Sequence, residues 1–274
     1  MTFQSYAKIN LGLYITGKRA NGFHELYSIF QEIDLADQIT ITCTEQEEKI
    51  RLTSNKDIPL DIKNTVYKAA DCLKHLYKEH LHIHIEKYIP SEAGLGGGSA
   101  NAAYTLGALN DHFSLGLTKD ELKYYAEQIG SDVPFFVDGK QALVSGRGEH
   151  VKPIKFSFPY HIVLLKPNNF SCSTQEIFKN YAPFLTLPVN TEAIDQVISS
   201  PTKETISALE NHLERPLIDK YPILNQMKNE LITQGAFYSA MTGSGSVVFG
   251  LFEEKPKLKH SDLYTIYHTK ARTD

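Results

Sequence analysis

Apolar residues recur along the first half of this chain with two different periods. A period of two marks residues 3–16, 38–44 and 50–53, which predicts strands, the first either whole or in two pieces broken at Ala7-Lys8. Residues 25–34, with Leu26, Ile29, Phe30 and Ile33, also read as a strand. Residues 80–86 (HLHIHIE) alternate strictly and set Leu81, Ile83 and Ile85 on one face. Elsewhere the spacing is helical. From Asn64, a predicted N-cap, the positions Val66, Ala69, Ala70, Leu73, Leu76 and Tyr77 form one stripe. A second helix is expected from Ser99 through Ala102, Ala103, Leu106 and Leu109. A third opens with Thr118 and Glu121, spaced as a capping box, and runs through Leu122, Tyr125, Ala126 and Ile129 to Gly130. Short strands are predicted around residues 142–144 and 151–154.

The second half mixes the same two periods in another order. A strand is expected at 161–166, a short helix at 174–181, and helical patterns at 191–198, 203–213 and 222–232. Strands at 237–241 and 247–252 flank a glycine turn, Thr242-Gly-Ser-Gly-Ser246. Helices and strands are mixed in both halves, an α+β pattern. The boundary is expected at residues 155–159, dividing the chain into domains 1–155 and 156–274.

Composition narrows the function classes. With 42% hydrophobic and 22% charged residues the chain can bury a substantial core. A net charge of −4 offers no electrostatic footprint for nucleic acid, so a polyanion must be bound at a local site. The three cysteines, Cys43, Cys72 and Cys172, lack C-x-x-C spacing, which argues against zinc or a disulfide framework. No charged leader precedes an apolar run, and no apolar segment approaches the ~20 residues of a membrane span. A soluble cytoplasmic protein with no membrane partner is expected.

The stretch around which the chemistry gathers is 90–102, PSEAGLGGGSANA. Glycines let backbone N–H groups converge, and a helix opened by Ser99 would present a positive dipole end to an anion. A phosphate cradle and an ordinary tight connection both fit. The loop lacks the Gly-Lys-Ser/Thr ending of a Walker A and the third-glycine spacing of a Rossmann fingerprint. Lys8, in the apolar run AKINLGL, reads either as a strand-edge lysine in water or as a cation held at a site. Asp132, after a helix end in GSDVPFF, reads either as a turn aspartate or as a base or Mg²⁺ ligand. Phe23-His24 is either core plus surface or a platform for a planar ring. His80, His82 and His84 share a strand face without accompanying cysteines or carboxylates and read as solvated.

Taken together, AKINLGL, GFH, GLGGGS, GSDVPFF and MTGSGSVVF, in that order from Ala7 to Phe252, resemble the GHMP kinase superfamily. The resemblance implies a two-domain α+β fold, the first domain like domain 2 of ribosomal protein S5 and the second ferredoxin-like. It implies ATP as phosphoryl donor with Mg²⁺, and Lys8 and Asp132 as the catalytic pair. Asn64 and the run Pro90, Ser91, Glu92, Ala93, Gly94, Leu95, Gly96, Gly97, Gly98, Ser99 and Ala100 would bind ATP. Phe23 and Phe178 would sandwich a cytosine and His24 would bond its edge. Asn10 and Thr174 would place the ligand, with Gly243, Ser244 and Gly245 near the acceptor. The implied activity is phosphorylation of a hydroxyl on a cytidine-diphosphate-linked polyol. The alternatives are a homoserine- or mevalonate-type acceptor, or a non-catalytic nucleotide-binding module. This chain departs from the pattern at Phe23, where tyrosine is commoner, at Glu92, where a small residue is usual, and at Asn101, where aspartate is frequent. The family's helix before the last strand is expected to be shortened after Phe252.

Overall fold

The structure, a computed structural model, describes residues 1–170, 177, 181, 189–218 and 220–273. Two compact units emerge. The first comprises 1–7, 35–91 and 96–139, and the second 8–34, 92–95 and 140–274. The chain therefore changes unit within its first two strands. β1 (Thr2–Lys18) is one continuous strand, not two pieces, although the unit changes where the break was expected, at Ala7-Lys8. β2 (His24–Thr44) likewise joins the two predicted strands into one of 21 residues. Exposed Asp34 and half-buried Leu35 and Ala36 break the alternation in its middle, because only part of that stretch faces a core.

In the first unit, β3 (Ile50–Ser54) pairs in parallel with β4 (His80–Glu86), and β4 pairs antiparallel with residues 38–44 of β2. Leu81, Ile83 and Ile85 turn inward as their alternation requires, while His82 Nε2 and His84 Nδ1 meet Thr53 Oγ1 at 2.9 and 2.8 Å on the other face. Helices α1 (Thr65–Leu73), α2 (Gly97–His112) and α3 (Lys119–Ile129) pack on one another. Asn64 caps α1 by accepting from Val66 N at 2.9 Å, and Thr118 with Glu121 forms the expected capping box of α3. The segment after Gly130 is expected to be a turn. It contains α4 (Phe135–Asp138), a single helical turn with Phe135 and Phe136 buried.

In the second unit, residues 26–31 of β2 pair with β5 (Gln141–Gly146), which pairs with β6 (His150–Pro153). A four-stranded antiparallel sheet follows, built from β7 (His161–Pro167), β8 (Tyr238–Met241), β9 (Val248–Phe252) and β10 (Tyr264–Lys270). Its spatial order β10-β7-β9-β8 is the 4-1-3-2 arrangement of a ferredoxin-like domain. The helix Pro222–Thr233 packs on β8 and β9, burying Leu224, Met227 and Leu231. No helix occupies 253–263, so the expected shortening is complete. The helix predicted over 203–213 ends at Ser207, and a 3₁₀ turn follows at His212–Glu214. The reason is Asn211, whose backbone bridges Leu13 and whose side chain is committed elsewhere. No described helix is long and apolar enough to cross a membrane.

Candidate active site

The first unit contributes a helix start. β4 leads through residues 87–91 into the glycine run, and Gly96, at φ 68°, is the N-cap of α2. Only glycine adopts that left-handed backbone cheaply. The helix, expected to start at Ser99, starts two residues earlier, at Gly97, because Gly96 supplies the turn. Ser99 is thus the third helical residue. No side chain caps α2 and no acid stands in its first turn, so the N–H groups of Gly97, Gly98 and Ser99 face outward from a positive dipole end. A Cβ on Gly97 would lie 2.9 Å from Ile89 Cγ2, so this glycine is also needed for packing. Thr65 Oγ1 donates to Gly98 O at 2.6 Å, tying α1 to the same turn. Asn64, 9% exposed, spends Oδ1 on the cap and Nδ2 on Pro59 O, so it builds the wall of this region. Asp132 is half-buried in the turn before α4, between Gly130 and the buried Val133.

The second unit gathers the other candidates. Lys8 is 3% exposed, donates to Asn10 Oδ1 at 2.6 Å and stands 4.5 Å above the Phe30 ring. Burial and these partners remove the strand-edge reading of this lysine. Asn10 is held in turn by Ser28 Oγ, 2.9 Å from its Nδ2, and by Thr242 Oγ1, which accepts its backbone N–H at 3.1 Å. Thr242 also donates to Gly94 O at 3.2 Å, and Lys8 N bonds Leu95 O at 3.0 Å. The run 92–95 is therefore pressed against the second glycine turn. A Cβ on Gly94 would lie 1.9 Å from Thr242 O, and Gly94 has φ 73°. Gly243, Ser244 and Gly245 are all buried beside it. Lys8, Asn10, Gly94 and Gly243 thus come together.

Phe23 and His24 sit where the turn after β1 enters β2. Phe23 is half exposed, with the Arg147 guanidinium 5.4 Å over its ring. His24 is buried edge-on to Tyr181, and burial, helped by the Lys18 charge, holds its pKa below the usual histidine value. It is therefore a neutral imidazole near pH 7, able both to donate and to accept. Pro90 is half-buried, Ser91 and Glu92 are exposed, and Ala93, Leu95 and Ala100 are buried. Thr174 and Phe178 lie outside the described residues.

Several positioning residues escaped the sequence reading. Asp37 is fully buried under the start of α2, with Lys87 and Asn101. No local signal in the sequence marks it, because Asp37 falls between the strands expected at 25–34 and 38–44. Asn211 Nδ2 donates to Met241 O at 2.7 Å and Gly243 O at 2.9 Å, and Glu214 Oε1 accepts Met241 N at 2.6 Å. Together they hold the second glycine turn, a contact across some 30 residues that no local pattern displays.

The sequence profile described as the GHMP kinases N terminal domain matches residues 64–140, and that of the GHMP kinases C terminal domain matches 202–260. The 4-diphosphocytidyl-2-C-methyl-D-erythritol kinase of Caldicellulosiruptor bescii is 39% identical over 259 residues, covering 93% of this chain and 90% of its own. The enzyme of the same name from Geobacillus kaustophilus is 39% identical over 263 residues, covering 94% and 90%. A solved 4-(cytidine 5'-diphospho)-2C-methyl-D-erythritol kinase superposes with a TM-score of 0.81 at 28% identity over 99% of both chains. Methanococcus jannaschii mevalonate kinase shares the fold at a TM-score of 0.73 and 20% identity, over 99% of this chain and 98% of its own. The chain belongs to the 4-diphosphocytidyl-2-C-methyl-D-erythritol kinase family of GHMP kinases.

Proposed function

We propose that this protein transfers the γ-phosphoryl group of ATP to the 2-hydroxyl of 4-diphosphocytidyl-2-C-methyl-D-erythritol, a step of isoprenoid precursor synthesis. The observation that carries the substrate is near full-length similarity at 39% identity to enzymes of that name. The uncapped start of α2 supports the nucleotide. A half-exposed Phe23 beside a neutral, buried His24 supports a nucleobase on the acceptor rather than a small amino or hydroxy acid. In this reading residues 1–155 form the ATP-binding domain and 156–274 the second domain, a division that the matched stretches 64–140 and 202–260 support.

Asp132 is assigned as general base. It takes the proton of the 2-hydroxyl as that oxygen bonds to the γ-phosphorus and the bond to ADP breaks. Lys8 is assigned to orient Asp132 and to offset the charge on the transferring group. Its ammonium is already aligned by Asn10 and Phe30, so little reorganisation is required on binding. The residues 90–100 wrap the phosphates. Mg²⁺, carried on those phosphates, supplies charge neutralisation. Phe23 and Phe178 stack on the cytosine with His24 at its edge. Asn10, Thr174, Gly243, Ser244 and Gly245 place the polyol. Substrates of this kind are small and water-soluble, and we place the enzyme in the cytoplasm.

The test is ATP consumption against a panel of acceptors: cytidine-diphospho-methylerythritol, homoserine, mevalonate and galactose. Turnover is expected with the first alone. Equal or greater turnover with homoserine or mevalonate would overturn the substrate while leaving the kinase.

A further inference from the structure

The pairing of β2 with β4 ends at Gln38 and Glu86, and the next residue of each strand is Asp37 and Lys87. Beyond this point the backbone N–H groups of Tyr88 and Ile89 have left the sheet, and in most sheets they would turn to water. Here both donate to Asp37 Oδ1, each at 2.8 Å. The other oxygen, Oδ2, accepts from Lys87 Nζ and, at 2.9 Å, from Asn101 Nδ2. Asn101 belongs to α2, about one turn after Gly97. One carboxylate, 0% exposed, therefore binds the chain leaving the sheet to the helix that follows the glycine run.

The geometry points to Asp37 as a positioning residue for nucleotide binding, acting through the backbone of residues 88–89 and through Asn101 on the free N–H groups of Gly97, Gly98 and Ser99. The inference rests on the assignment of that loop to ATP. Ile89, 2% exposed, transmits the constraint, because its Cγ2 lies 2.9 Å from where a Gly97 Cβ would be. A shift of Ile89 must therefore move Gly97 or open a void beside it. Asn101, with Nδ2 committed to Asp37, keeps Oδ1 buried and without a hydrogen-bond partner, so among the described residues Asp37 is the hydrogen-bond partner that holds its side chain. Lys87 pairs with the carboxylate and offsets its negative charge beneath the phosphate site. Every ligand of Asp37 is a donor. An amide in its place must turn its own NH₂ toward two of them.

The experiment compares wild type with Asp37→Asn and the milder Asp37→Glu. Three quantities are measured: the KM for ATP and for the cytidine-diphosphate acceptor, the Kd of a non-hydrolysable ATP analogue by titration calorimetry, and the unfolding temperature. For Asp37→Asn the ATP KM and analogue Kd should rise roughly 10- to 100-fold, the loss expected for hydrogen bonds to a buried charge. The acceptor KM should stay within about twofold, and kcat at saturating ATP should be nearly unchanged. Asp37→Glu should shift ATP affinity in the same direction by less. A folded Asp37→Asn with unchanged ATP affinity would overturn the proposal. So would a parallel loss of ATP and acceptor affinity, which marks general loosening. If Asp37→Asn does not fold, Asp37→Glu decides on the same readouts. Gly97→Ala is the separate control for the loop. If it leaves the analogue Kd unchanged, the ATP-loop assignment fails, whatever Asp37 does.

Discussion

Lys8 and Asn10, two residues apart on the buried face of β1, show how an ammonium group is accommodated inside a protein. A buried ammonium is expensive unless it is hydrogen-bonded, and here Asn10 Oδ1 at 2.6 Å and the Phe30 ring at 4.5 Å share the task. Asp132 is a different case, a half-buried carboxylate in a turn that the glycine loop does not build. The two parts can thus be separated by mutation. Asp132→Asn should lower kcat by roughly 10²- to 10⁴-fold while the affinity for an ATP analogue hardly changes. Single-turnover phosphorylation and calorimetry measure the two, and near-normal turnover would remove Asp132 as the base. At this scale the sequence offered two readings of Lys8, in water or held at a site. What it left open for Lys8 was burial, since AKINLGL reads the same whether the lysine points to water or to a ring.

At the scale of elements, the glycines of the loop answer to different demands. Gly94 is pressed on the Thr242 carbonyl and carries φ 73°, so a side chain meets backbone that cannot step aside. Gly98 meets only the Thr65 hydroxyl, at an ordinary 3.4 Å, and its φ is not left-handed. Gly94→Ala should therefore cost ~3 kcal/mol or more, roughly 10 °C in Tm for a chain of this size, if it folds at all. Gly98→Ala should melt within about 2 °C of wild type, since alanine is the better helix former. Thermal unfolding of the two variants tests the ranking, and an equal loss in both would mean that composition, not contact, governs the loop. The sequence could count these glycines but not rank them. It also placed the helix start at Ser99, because a serine is the usual cap, whereas a left-handed Gly96 takes that role when the helix end must stay open. The helix predicted over 203–213 failed for a comparable reason. Asn211 serves Met241 and Gly243, and that tertiary demand outweighs the helical pattern of its neighbours.

Over the whole molecule, acid should be destabilising well before the carboxylates titrate. His212 is 1% exposed, and burial, with the Arg215 charge nearby, lowers its pKa to about 4 from 6.5. Its Nδ1 accepts from Ile15 N at 3.3 Å and lies 3.0 Å from Tyr181 Oη, which fits a neutral ring. Between pH 6.5 and about 4 the unfolded chain binds a proton that the folded chain refuses, so stability rises with pH across that window and levels off above it. The full contribution is about 3 kcal/mol. Urea midpoints from pH 4.5 to 7.5 should slope in wild type and flatten in His212→Gln, which keeps an acceptor without a charge. Parallel curves would place the sensitivity elsewhere. Asp138 adds to acid sensitivity only lower down: burial alone would raise its pKa, but hydrogen bonds from Lys123 and Lys119 outweigh it and hold it low.

Local information was enough for most of this protein. Alternation, stripes and caps are properties of consecutive side chains, and they located β4, α3, the start of α1 and the strands β7, β8 and β9 within a residue or two. α1 stops at Leu73, short of the expected Tyr77, and β10 was not foreseen. Five short motifs in order sufficed for the family. Folding decided what depends on partners distant in sequence. Strands β1 and β2 each run unbroken while serving two compact units, Asp37 and Asn211 became braces, and Lys8 met Asn10, Thr242 and Gly94 in one buried cluster. The physical reason is the same in each case. A periodic pattern records which face of an element is apolar, but a buried polar group takes its meaning from the atom that satisfies it, and that atom is chosen by the tertiary structure.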